Sequence, residues 1–101
     1  MAKSTIIFWR DIPSQVVVKH GRTSAKVQLS KRFIEAIDKA AMRAGRQGSN
    51  EYLEDWRREI ETCLGDPKTL ANSIAEELEQ QYPDDILKAM VKNKGLKISQ
   101  T

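Results

Sequence analysis

Two runs of β-branched and aromatic side chains, Ile6-Ile7-Phe8-Trp9 and Val16-Val17-Val18, flank Arg10-Asp11-Ile12-Pro13-Ser14, and this spacing constrains the chain more than any other feature. Such runs on either side of a short polar, proline-bearing bend predict a β-hairpin. Alternation places Thr5, Ile7 and Trp9 on one face of the first strand and Ile6, Phe8 and Arg10 on the other. In the second strand Val16 and Val18 oppose Gln15, Val17 and Lys19. Both strands are apolar on much of both faces, as strands in the middle of a small sheet are. Turning the chain needs only a few small or kinked residues, and this bend also carries a Trp, an Arg and an Asp. That excess makes it the first place to look for function.

His20-Gly21-Arg22-Thr23 reads as a turn, because Gly21 is free to take positive φ. A third strand follows, with Ala25, Val27 and Leu29 directed to the core and Lys26 and Gln28 to water. Ser30 suits the N-cap of a helix whose stripe is Phe33, Ile37, Ala40, Ala41 and Ala44, with Gly45 as its stop. The alanines predict a helix lying directly on the strands. Ser49 or Asn50 opens a second helix with Tyr52, Leu53 and Trp56 on its buried edge and Arg57 and Arg58 outside. A short fourth strand is expected at 59–64, where Thr, Cys and Ile are mediocre helix formers. Asp66-Pro67 caps a third helix that ends at Pro83, and a last amphipathic segment runs from Asp84 to Lys92 with Gly95 closing it. The expected fold is α+β: a small, mostly antiparallel sheet of three to four strands covered on one face by three to four helices, in the order β-β-β-α-α-(β)-α-α. One domain is expected over residues 1–96, with 97–101 as a flexible tail.

A chain of 101 residues suffices for one modest core. Cys63 is the sole cysteine, which excludes an intramolecular disulfide and suits a reducing compartment. Met1-Ala2-Lys3-Ser4 lacks the apolar core of a signal peptide, and no stretch approaches the roughly 20 apolar residues of a membrane span, so a cytoplasmic location is expected. Residues 1–35 hold seven Lys/Arg against two Asp/Glu, whereas 66–91 hold two against six. This asymmetry suits a polyanion, a protein contact, or complementarity within the fold.

The order Phe8-Trp9-Arg10-Asp11-Ile12-Pro13-Ser14-Gln15-Val16, then Gly21-Arg22, Ala25-Lys26, Leu29, Arg32-Phe33, Ala36-Ile37-Asp38, Ala40-Ala41-Met42, Tyr52-Leu53 and Trp56-Arg57, resembles the small bacterial "virulence factor" domain. That domain occurs alone and fused at the end of conserved virulence factor C-type proteins. The resemblance covers roughly residues 4–82, and the segment from Asp84 departs from it. It implies no catalytic residue. Stand-alone members look like companions of one-carbon and methyl-transfer genes, which is an association and not a mechanism.

Little in the sequence supports catalysis. Cys63 and His20 are each single and far apart, and Glu59, Glu61 and Asp66 around Cys63 disfavour a thiolate. One Cys and one His do not make a zinc site, and Glu76-Glu77, Glu79 and Asp84-Asp85 read as solvated helix charges. Gly21-Arg22-Thr23-Ser24 lacks the spacing of a phosphate loop. No cofactor or metal is expected. Asp11 and Pro13 have a structural reading, with Asp11 accepting the Ser14 N–H or pairing with Arg10. The favoured expectation is a non-enzymatic adaptor that docks a cytosolic protein through Trp9, Arg10, Asp11, Pro13 and Gln15, with Arg22 and Lys26 adding basic selectivity. Two alternatives stand beside it. One is a nucleic-acid module using Arg10, Lys19, Arg22, Lys26, Lys31 and Arg32 with Trp9 or Phe8 stacking. The other is a subunit or small-ligand binder in one-carbon metabolism.

Overall fold

The computed structural model describes residues 2–45 and 50–97. The strands are β1 (Ala2–Trp9), β2 (Ile12–His20), β3 (Thr23–Gln28) and β4 (Trp56–Cys63), and the helices are α1 (Lys31–Arg43), α2 (Asn50–Glu54), α3 (Pro67–Gln81) and α4 (Asp84–Lys92). The strands form one antiparallel sheet in the order β3-β2-β1-β4. This is the expected α+β order with its fourth strand present.

The largest departure from expectation lies at residues 55–58. Trp56, Arg57 and Arg58 continue β4 rather than α2, pairing with Trp9, Phe8 and Ile7. Helix propensity is a weak local term, and the unpaired edge of β1 offers a full ladder of backbone hydrogen bonds in its place. Ser49, the other candidate cap of α2, lies outside the described residues.

The inner face of the sheet carries Ala2, Val16 and Val18, all buried, against Ala71, Ala75 and Leu78 of α3. The helix lying across the strands is therefore α3, over β2 and β3. By contrast α1 touches β2 and packs chiefly along α4, so its alanines admit a helix rather than the sheet. Between the Ile7–Gln15 and Phe8–Pro13 pairs the register shifts, leaving Ser14 as a bulge whose carbonyl accepts the Leu29 N–H at 3.0 Å. Such a bulge sharpens the local twist.

Asp66 caps α3 as expected, accepting from Thr69 N at 3.1 Å with Pro67 at the first turn. Ser30 does not cap α1 through its side chain. Its N–H and hydroxyl instead donate to the Glu79 carboxylate at 2.7 and 2.8 Å, beside Arg32 at 3.0 Å. Glu79 is therefore a half-buried tie between α1 and α3, not a solvated charge. Burial opposes its ionisation, but the Ser30 donors and the Arg32 guanidinium outweigh that and hold its pKa below the usual glutamate value. A depressed folded pKa adds stability above the unfolded value and loses it as pH falls through the folded one. Glu79→Gln is accordingly expected to lower stability at neutral pH and to flatten its decline below about pH 5, read from urea midpoints across pH. Parallel curves for variant and wild type would contradict this.

Candidate binding surface

The hairpin bend is turned inward. Trp9 has no solvent exposure, its Nε1 donates to the Tyr52 carbonyl at 3.0 Å, and its ring stacks on Tyr52 at 5.7 Å. Pro13 is fully buried opposite Phe8. Arg10 sits at φ 54°, and its backbone N–H donates to the Asp55 carbonyl at 2.9 Å. The Arg10 guanidinium pairs with Asp55 at 3.2 Å and donates to the Lys94 carbonyl at 2.9 Å.

Asp11 neither accepts from Ser14 nor pairs with Arg10. Its carboxylate takes Arg57 at 3.0 Å and the Lys97 N–H at 2.5 Å, and its own N–H donates to Gly95. Arg57 also lies 4.4 Å above the Phe8 ring and pairs with Glu59. Burial lowers the Arg57 pKa, but the carboxylates of Glu59 and Asp11 outweigh it and the net shift is upward. The four bend residues thus form an internal clasp around the end of α4. Trp9 and Pro13 cannot touch a partner in this conformation, which corrects their expected role. Lys97, assigned to the tail, belongs to the clasp, and residues 98–101 lie outside the described residues.

The other predicted residues fall elsewhere. Arg22 is exposed in the β2–β3 turn, while Gln15 and Lys26 stand on the sheet face opposite α3, which no described helix covers. The register arranges that face as a grid. One row across the strands is Ser24, Lys19, Lys3 and Thr62; the next is Lys26, Val17, Thr5 and Ile60; the third is Gln28, Gln15, Ile7 and Arg58. It contains four cations and no carboxylate, and none of the four cations is ion-paired among the described residues. Its middle is apolar: Ile7 and Val17 are half-buried and Ile60 is 62% exposed. A solvated antiparallel face is ordinarily polar, and Ile7, Val17 and Ile60 are the three exceptions among the twelve positions of this one.

Sequence reasoning reaches Lys19, and it groups Thr5 with Ile7 and Val17 with Lys19 on shared faces without deciding which face is outward. It misses Lys3 as part of a surface, and Arg58 because the expected fourth strand begins at 59; Ile60 falls inside that strand but is not assigned to a face. Period-two alternation over Arg58, Ile60 and Thr62 is the signal that finds them. Lys3 and Lys19 are direct cross-strand partners, and like charges so placed repel. Lys19→Glu is therefore expected to raise stability by about 0.5 kcal/mol, measured by urea unfolding, and a loss of stability would contradict the repulsive pair.

Among the described residues no cluster of metal-ligating side chains occurs. Cys63 is half-buried, with its Sγ 3.6 Å from the Ala2 carbonyl oxygen. No described helix is long and apolar enough to cross a membrane. The arrangement can hold an anionic, partly apolar surface.

A family model described as "Virulence factor" matches residues 7–91, running through α4 past the point at residue 82 where the resemblance ended. Neither a curated protein nor a solved structure matches the chain.

Proposed function

The chain belongs to the virulence factor family, and from that membership, which names no chemistry, we propose a non-enzymatic accessory protein that binds an acidic protein partner on the open face of its sheet. One observation carries the reading: Lys3, Lys19, Lys26 and Arg58 surround an apolar centre of Ile7, Val17 and Ile60 with no carboxylate among them. An apolar centre with a polar, charged rim is the anatomy of a protein contact, and one sign of charge selects the partner. The bend residues are withdrawn from the role. Gln15 and Lys26 remain in it, and Arg22 stands at its margin.

A photo-crosslinking amino acid introduced at Lys26, with Asn72 on the exposed side of α3 as control, tests the proposal in cells of the native host. A protein adduct from position 26 and none from 72 is expected. Equal adducts from both positions, or adducts at 26 only to RNA, would sink it. The nucleic-acid alternative shares the cations, so the chemical nature of the adduct separates the two readings.

A further inference from the structure

Resting on the open-face reading, we infer that the partner presents a short amphipathic α-helix whose apolar stripe is flanked by Asp and Glu, seated along β1. The width of the floor argues for a helix. Thr5 and Ile7 of β1 lie between Val17 of β2 and Ile60 of β4. Two strand spacings make a floor about 10 Å across, close to the roughly 10 Å diameter of a helix with its side chains. A shallow cavity of about 440 Å³ follows this line, bounded by Val17 on one side and Ile60 on the other.

The length is limited as well. Lys3 and Lys19 face each other at one end. At the other, the Trp9–Trp56 pair is closed over by Tyr52. The strand between Lys3 and Ile7 spans roughly 14 Å, which accommodates about three helical turns. Val17 and Ile60 stand level on either side of Thr5, and Ile7 lies two residues further along β1, about 7 Å on. Apolar residues at i and i+3 or i+4 would therefore meet this trio, the usual way a helix enters a groove. Lys26 and Arg58 stand on opposite flanks, so acidic residues are required on both sides of the stripe. The lysine pair at one end favours the helix C-terminus there, where the macrodipole is negative.

Single-stranded nucleic acid fits this floor less well. Such partners stack their bases on aromatic rings, and the floor is aliphatic. Trp9 lies in the core, and Trp56, which borders Ile7 and Gln15 at the end of the floor, is half-buried against Tyr52.

Two selections with the full chain test the inference: a displayed library of helix-forming peptides roughly three to four turns long, and a pool of random single-stranded RNA. The expected result is enrichment of peptides carrying Asp or Glu on both flanks of an apolar stripe. Their affinity should fall at least about tenfold with Ile60→Glu and again with Lys3→Glu/Lys19→Glu, and bound peptide should shift the backbone amide signals of Thr5, Ile7, Val17 and Ile60. Thermal midpoints of the variants establish that they fold, since these side chains are exposed. Enriched peptides that are extended or lack acidic flanks, binding insensitive to Ile60→Glu, RNA enriched on the same residues, or no enrichment at all would each overturn it. A protein crosslink at position 26 with a failed peptide selection would leave the open face as the contact and remove the helix from it.

Discussion

Replacing Trp9 by alanine is expected to lower stability by about 4 kcal/mol, within the usual range for truncating a buried Trp or Phe. The side chain is wholly buried, stacks on Tyr52, and carries the Arg10 guanidinium 5.2 Å from its ring centroid. Removing it opens a cavity between α2, the sheet and the turn at Gly95, and none of these can collapse inward without breaking the clasp. For a chain of this size that loss corresponds to a fall in Tm of roughly 15–30 °C. Trp9→Phe keeps most of the apolar volume but leaves the Tyr52 carbonyl without its donor, at about 1–3 kcal/mol. Urea unfolding of both variants gives the comparison. A Trp9→Ala protein within about 1 kcal/mol of wild type would mean that Trp9 is not core, and would restore it as a contact residue.

Gly95→Ala should be nearly as damaging, although it adds only a methyl group. A Cβ at Gly95 would stand 2.7 Å from Cζ3 of Trp9, 3.1 Å from its Cε3 and 3.4 Å from Cβ of Ala40. The residue also sits at φ 86°, where side chains are strained. Overpacking and the left-handed backbone together cost about 3 kcal/mol. The strain is relieved only by lifting residues 94–97 away from the bend, so Trp9 fluorescence should shift to the red before global unfolding. Gly21→Ala supplies the control. Its φ is 61° but nothing lies within 4 Å of the added Cβ, so only the backbone term of about 1 kcal/mol applies. Equal losses from the two substitutions would show that Gly95 matters for its dihedral alone and not for its seat on the indole.

These two sites show how far the sequence could be read. Asp66-Pro67, Gly45 and the alternation of residues 25–29 were legible because each acts on backbone or side chains a few positions away. The outward side of Lys26 and the shared face of Gln15, Val17 and Lys19 followed from the same period of two. Trp56 to Arg58 read as helix because a strand edge competes with helix propensity only once β1 is beside it. The excess chemistry at the bend was visible, but its partners were not. Trp9 finds Tyr52 across 43 positions, and Arg10 and Asp11 find Lys94 and Lys97 across 84 and 86.

By itself, then, the sequence determined the class of fold, the element order and which strand positions share a face, since periodicity, capping and turn chemistry are local. Tertiary structure alone decided which polar residues are spent inside the molecule and which remain for a partner. The reason is physical: a Trp–Arg–Asp bend has the same local chemistry whether it meets solvent or its own C-terminal segment. Only the folding of that segment onto it satisfies the donors and buries the ring, leaving the cations of the open face without an ion pair among the described residues.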